Sequence, residues 1–399
     1  MFCMKRLLEN SIWLKRILLM AIIAPFALLW GEMFTRILLP QNVDSKMNIF
    51  ASDPIMGFIF EPNTRTYEKG SEYNALYQIN SLGLRDREYG GKTDGIFRVL
   101  LIGDSFSVSH GLPIEDSLSR QMEKALQGIA DSDGRPGKFE VINTAAGGYS
   151  PYNYWKAYRR WAPIFNPDVI IVGLSPDDYE CDNENKRYLI ENGEILSAYA
   201  DGQEPKKSGK ISIRIIRKWL SWNSQLYILM RNYFYYNDIV SWIALWKSPG
   251  GVENDSQLSL YMVSQHEEVN KAWSKAFSYL EKLKKETEAD DVPMILIPLP
   301  LKMEIDSQQF RQVLASKELT SDQIDLNQQL KEIKDFCKKE SILVLDPRPA
   351  LQDRHVEVPC YFVLDGHWNA EGIRVASKSL AMEWRELGLP PWGNTGVVK

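Results

Sequence analysis

Beyond residue 95 the chain repeats one pattern five times: a short apolar run, rich in β-branched residues, followed by a helical stretch. The runs fall at 97–102, 139–142, 169–172, 294–297 and 342–345. They are too continuously apolar to alternate between a wet and a dry face, so they read as central strands of a parallel sheet buried on both sides. Helices are expected at 116–129, 152–161, 266–288, 322–339 and 370–387. The pattern predicts a three-layer α/β/α, flavodoxin-like domain made of residues 96–184 and 290–390. A polar, irregular lead-in at 40–95 is expected to precede it, with turn signals at Asp53-Pro54, Glu61-Pro62-Asn63 and Gly90-Gly91.

The third and fourth runs are separated by more than one hundred residues, far beyond an ordinary connection. We expect a helical, aromatic-rich insertion at 185–289, densest in Trp and Tyr between 211 and 246. Three readings fit it: helices packing an apolar stripe on the main domain, a sugar-binding or acyl-binding surface, or a segment resting on the bilayer interface.

The N-terminus has a different character. Residues 17–31 carry no charge, and 37–39 are apolar again before Pro40. A spanning helix needs roughly 20 residues, so it is expected to recruit flanks and run over 12–39, leaving 1–11 in the cytoplasm. Lys5, Arg6, Lys15 and Arg16 precede the apolar core, whereas Glu32 and Arg36 beyond it nearly cancel. That bias predicts a single-pass protein with a cytoplasmic N-terminus and a periplasmic, extracytoplasmic main domain. A cleaved signal peptide and a buried soluble helix are the rivals. Leu28-Leu29-Trp30-Gly31-Glu32 offers no small-residue cleavage site, which favours an uncleaved signal anchor.

Composition excludes more than it selects. With 44% apolar and 25% charged residues the chain is globular, and 47 Lys+Arg against 52 Asp+Glu give a net charge of -5, which speaks against nucleic acid as a partner. A mean hydropathy of -0.29 rules out a polytopic membrane protein. Cys181, Cys337 and Cys360 on the exported side allow at most one intrachain disulfide, and buried free thiols are the plain expectation. None of the four cysteines shows metal-ligand spacing, so neither a metal nor a cofactor is expected.

Two motifs carry chemistry. Gly103-Asp104-Ser105 stands at the C-terminal end of the first run, the sheet edge where α/β folds bind ligands. A serine on such a turn is placed to act as a nucleophile, although Asp and Ser also serve as turn and cap residues there. Near the other end, Asp365-Gly366-His367-Trp368-Asn369 precedes the last helix. In an extended loop, residues two apart point to one side, so Asp365 can accept from Nδ1 of His367 and leave Nε2 facing a serine. Taken alone, such a pair is as readily a loop cap or half a metal site. Of the four histidines, His110 is the alternative base, being close to Ser105 in sequence.

In chain order these blocks resemble the SGNH/GDSL hydrolase superfamily: Gly103-Asp104-Ser105, then Asn143 to Tyr149 with Gly147-Gly148, then Val172 to Asp178, then Asp365-Gly366-His367. The chain is similar in particular to membrane-anchored bacterial members with a DxHWN-type final block, which include polysaccharide O-acetylation proteins. Asn80-Ser81-Leu82-Gly83-Leu84-Arg85 also resembles a segment those members carry before the GDS strand.

The resemblance implies Ser105 as nucleophile, His367 as general base and then acid, and Asp365 as its orienting carboxylate. It implies an oxyanion hole formed by the backbone amides of Ser105 and Gly148 and by the side chain at position 177. There the sequence departs, because Asp177 stands where an asparagine donor is usual. Losing one such donor costs about 3–4 kcal/mol of transition-state stabilisation. Asp177 can escape by being held protonated, by turning away in favour of Asn183 or Asn185, or at the cost of slow or lost activity.

The resemblance leaves ester hydrolysis and O-acyl transfer open, with an acylated carbohydrate or other ester as substrate and polysaccharide assembly proteins as possible partners. Its rivals are a non-catalytic polysaccharide-binding or assembly factor and a lipid esterase or thioesterase at the membrane surface.

Overall fold

The computed structural model describes residues 2–41, 49–179, 186–191, 193–200, 213–236 and 258–392. By its internal contacts the chain divides into two compact units. One comprises Met1–Ser45, Lys69–Ser71 and Gly209–Lys247, and the other comprises Lys46–Glu68, Glu72–Ser208 and Ser248–Lys399.

The first unit is helical. Helix α1, Phe2–Leu38, is one continuous element that takes in the basic flank as well as the apolar run. Its segment Leu19–Leu38 is long and apolar enough to cross a bilayer and is almost entirely unburied. That segment fits a signal anchor or a single span. Helices α5, Ile213–Asn223, and α6, Gln225–Tyr236, belong to the same unit.

The larger unit contains the expected sheet. Strands β5 (Ile96–Ile102), β6 (Lys138–Asn143), β7 (Val169–Leu174), β10 (Met294–Pro298) and β11 (Leu343–Val344) pair in the order β11-β10-β7-β5-β6, and all four pairings are parallel. Numbered by appearance, that is the 2-1-3-4-5 order of flavodoxin-like folds. Val99 to Ile102, Val141, Ile142, Val169 to Val172 and Met294 to Ile297 are buried, as strands covered on both faces require.

Helices α3 (Leu118–Ser132) and α12 (Ala370–Glu386) pack together over one face of the sheet. Over the other lie α4 (Pro151–Phe165) and α7 (His266–Ala289). Helices α8 (Lys302–Ile305), α9 (Ser307–Lys317), α10 (Gln328–Lys339) and α11 (Arg348–His355) fill the later connections. Their starts are written in the sequence: Ser117 caps α3, Ser150 and Asn153 form a capping box ahead of Pro151 at α4, and Asn369 caps α12.

Two expectations change. Helix α7 was expected inside the insertion, yet it is the crossover helix between β7 and β10: Trp155 and Tyr158 of α4 bond to Glu286 and Asp290 at its end, at 2.9 and 2.7 Å. The insertion is also not wholly helical. It opens with an antiparallel hairpin, β8 (Lys186–Glu191) with β9 (Glu194–Ala200). The lead-in is likewise ordered, as strands β1 (Phe50–Asp53) with β2 (Gly57–Phe60) and β3 (Arg65–Lys69) with β4 (Asn74–Gln78). The Tyr188 ring of β8 meets Phe58 of β2 edge-on at 4.9 Å. Cys337 and Cys360 are buried free thiols, while Cys181 lies outside the described residues.

Candidate active site

Strand β5 ends at Ile102, and the four-residue helix α2, Ser105–Val108, begins almost at once. A Cβ at Gly103 would run into the Ser107 side chain, so only glycine lets the strand turn this tightly. Asp104 stabilises the turn by accepting from the amides of Phe106 and Ser107 at 3.0 and 3.4 Å, bonds that do not engage the Ser105 amide. Ser105 therefore opens a helix at the C-terminal edge of the sheet, beside the β5/β7 switch in strand order where such folds form their crevice.

The second motif meets it there. Nε2 of His367 lies 2.8 Å from Oγ of Ser105, and Nδ1 lies 2.5 Å from Oδ1 of Asp365. Both side chains are about one-fifth exposed, His367 at 22% and Asp365 at 21%, so the chain of hydrogen bonds is reachable from solvent. The loop is not extended as expected. Gly366 has φ +87°, and Phe362 donates its amide to the His367 carbonyl at 2.9 Å, so a tight turn places Asp365 and His367 side by side. Trp368 is buried against the edge of Phe106, which fixes the turn from beneath.

Several residues that build the site come from the lead-in and carry no motif. Glu72 accepts from three successive amides of the loop, Val363, Leu364 and Asp365, at 2.6, 2.6 and 3.0 Å. Tyr73 donates to Oδ2 of Asp365 at 3.2 Å and bonds Nε2 of His110 at 3.0 Å. On its other side His110 pairs through Nδ1 with Glu68 at 3.0 Å, and its ring centre lies 4.8 Å from that of His367. Arg85, from the Asn80–Arg85 segment, donates to the carbonyls of Val108, Ser109 and Leu112, and so grips the loop that presents His110. His110 is thus not a second base on Ser105 but a cation behind Asp365.

Electrostatics follow from this packing. Burial works against charge on Asp365, yet the charge and hydrogen bond of His367, together with the charge of His110, hold its carboxyl well below the usual range. Burial likewise disfavours the His110 imidazolium, but the charge and hydrogen bond of Glu68, with Asp365 adding, push it up to about 9. His110, Asp365 and His367 also have donor atoms within 4.8 Å of one another, a spacing that a cation could bridge. Each of those four nitrogens already has a hydrogen-bonding partner in Glu68, Tyr73, Asp365 or Ser105, which fits proton transfer better than metal ligation.

The expected oxyanion-hole positions are close by. Gly148 has φ +83°, and a Cβ on its neighbour Gly147 would stand 3.7 Å from Cβ of Ser105. Asp177 lies in the short 3-10 turn after β7, exposed, with Oδ1 accepting from the Ser175 hydroxyl. Asp178 beside it is buried, accepting from Tyr154 and the Ser175 amide, both at 2.8 Å. Burial together with the neighbouring Asp104 and Asp177 charges raises its carboxyl. Burial and the Asp177 charge raise Asp104 as well. Asn183 and Asn185 lie outside the described residues.

Residues 260–396 match the family of SGNH hydrolase-like domains described for the acetyltransferase AlgX, a stretch that includes Asp365 and His367 but not Ser105. Comparison with curated proteins returns no match. Solved structures with a similar course include a GDSL-family lipolytic protein from Desulfitobacterium hafniense, at 11% identity over 71% of this chain and 98% of that one, with a TM-score of 0.36. An acetyl xylan esterase gives 12% identity over 72% and 99% of the two chains and a TM-score of 0.36. The esterase EstA from Pseudoalteromonas gives 10% identity over 72% and 98%, with a TM-score of 0.35. Residues 260–396 are thus of the SGNH hydrolase-like family, and the 2-1-3-4-5 parallel sheet, the Gly-Asp-Ser turn closing its first strand and the Asp-x-His pair brought onto that serine are of the SGNH/GDSL kind.

Proposed function

We propose that this protein is an extracytoplasmic O-acyl enzyme that works through an acyl-Ser105 intermediate on acetyl or other acyl esters of a cell-surface or exported polysaccharide. The observation that carries the reading is the unbroken hydrogen-bonded line from Ser105 through His367 to Asp365. In the first half-reaction the Ser105 oxygen attacks the ester carbonyl while Nε2 of His367 takes the hydroxyl proton. Asp365 stabilises the imidazolium, and the proton then passes to the departing alkoxide. For the oxyanion that forms on the carbonyl oxygen, this reading assigns the Ser105 and Gly148 amides as donors.

In the second half-reaction His367 deprotonates the acceptor, which attacks the acyl carbonyl; the bond from Ser105 Oγ to the acyl group breaks, and the imidazolium returns the proton to Oγ. Water as acceptor makes an esterase, and a sugar hydroxyl makes an O-acyltransferase. The AlgX-type match supports the transferase branch, the spanning-length helix α1 supports a location at the membrane, and the basic residues ahead of its apolar run favour a catalytic unit outside. Fluorophosphonate labelling tests the intermediate: the native chain is expected to form an adduct that Ser105→Ala abolishes, and an adduct independent of Ser105 would sink the proposal. Acyl-donor consumption with and without glycan then separates transfer from hydrolysis.

A further inference from the structure

The aromatic stretch that the chemistry leaves unused forms α5 and α6, and the turn between them is fastened to the upper part of α1. Glu32 accepts from the Ser224 hydroxyl at 2.7 Å and from the amides of Gln225 and Leu226, both at 3.0 Å, so a side chain of α1 caps the N-terminus of α6. Arg36, ion-paired with Glu32 at 2.8 Å, donates to the Asn223 carbonyl at 2.7 Å where α5 ends. The Gln41 amide adds a bond to the Gln225 side chain at 3.1 Å. Thr35 is buried, and a Cβ on Gly31 would come within 3.0 Å of a Leu226 methyl. Two small residues four apart thus let α6 approach α1 closely, as helices do in a bilayer.

Depth follows from position. The spanning segment is Leu19–Leu38, and Glu32 lies six residues before its end. At about 1.5 Å per residue, the docked turn is about 9 Å inside that end. There an unsatisfied helix terminus costs several kcal/mol, which gives a physical reason for Glu32 and Arg36 to serve the facing termini of α5 and α6. Ile216, Trp219 and Tyr233 are large and exposed, at 48%, 58% and 58%. Between 213 and 236 the chain carries Arg214, Arg217, Lys218 and Arg231 and no acidic residue. Arg231 is buried, as are Nε and Nη2 of Arg217, so what these helices expose is apolar and aromatic, the composition of an element lying in the lipid interface.

We infer that α5 and α6 form an interfacial hairpin, seated in the outer edge of the bilayer against the anchor helix and facing phospholipid. The inference rests on α1 spanning the membrane and is independent of the acyl-serine chemistry.

The test uses the full chain, with Cys3 and Cys181 replaced by serine, in vesicles of phosphatidylcholine and phosphatidylglycerol. Trp219→Cys and Tyr233→Cys each carry an environment-sensitive fluorophore. At both positions, quenching by lipid-borne nitroxide is expected to exceed quenching by aqueous iodide several-fold. Stronger iodide quenching at both positions would overturn the inference, as would release of the chain by alkaline carbonate. Gly31→Leu is expected to raise iodide access at both labels while Ser105 still reacts with fluorophosphonate. A chain that fails at Ser105 but keeps the lipid quenching counts against the proposed enzyme and not against the hairpin.

Discussion

Asp365 touches three groups at once: His367 on one oxygen, Tyr73 on the other at 3.2 Å, and His110 at 3.6 Å. Because the imidazole it orients must carry a proton in transit, Asp365→Asn is expected to lower kcat/KM about 10³- to 10⁴-fold without unfolding the protein, as steady-state kinetics beside thermal melting would show. The cation behind it has a pH signature. The His110 value of about 9 lies above its ordinary value near 6.5, so its charge stabilises the fold fully below about pH 6.5 and that contribution is lost as pH rises through 9. His110→Gln is therefore expected to cost about 2–3 kcal/mol at pH 6 and little of that by pH 10, read by denaturant unfolding at the two pH values. An equal loss at both would mean that ring packing, not charge, is what His110 contributes. At position 177 the usual asparagine is the natural probe. Asp177→Asn is expected to raise turnover tenfold or more if the side chain faces the oxyanion, and unchanged turnover would assign Asp177 to holding Ser175. Ser105, Asp365 and His367 were legible because each lies in a short motif of chemically uncommon neighbours. Glu68, Glu72 and Tyr73 were not, since only tertiary contact joins Tyr73 to Asp365 across 292 positions.

The central strands could be read from the sequence because a strand buried on both faces is apolar along its length, and Val169–Leu174 and Met294–Pro298 are buried at every residue, whereas β5 and β6 carry the buried ion pair Arg98–Glu140 and β11 is half-buried. The lead-in hairpins lacked that signal. Arg65–Lys69 is exposed at three of its five positions, and the work of this element is done by carboxylates at its end and in the turn beyond it. Glu72 shows what such an element contributes: one carboxylate gathers three successive amides of the loop that holds Asp365. Glu72→Ala is expected to cost roughly 1–3 kcal/mol of stability and to reduce kcat more than it raises KM, because the loop loses its aim rather than its substrate contacts. Hydrogen exchange at the Val363, Leu364 and Asp365 amides should accelerate in the variant. If exchange there stays slow while activity falls, Glu72 acts by another route.

At the scale of the molecule, the lead-in belongs to the same compact unit as the sheet, apart from residues 40–45 and Lys69–Ser71. Ile49, Met56, Phe58, Phe60, Tyr77, Ile79 and Leu84 are all buried in the hydrophobic core that also holds the strands. At about 1.5–3 kcal/mol for each such side chain, removing them forfeits on the order of 10 kcal/mol, comparable with the whole stability of a typical domain. The sequence boundary at residue 95, drawn where apolar runs begin, is therefore a boundary of pattern and not of folding. The lead-in also supplies Glu68, Glu72, Tyr73 and Arg85 to the loops bearing His110 and Asp365. A chain begun at Ile49 is expected to keep the fluorophosphonate adduct on Ser105, whereas one begun at Ile96 is expected to lose it and to melt without a cooperative transition. Should the shorter chain fold and label normally, the lead-in would be a cover on the site rather than part of its foundation.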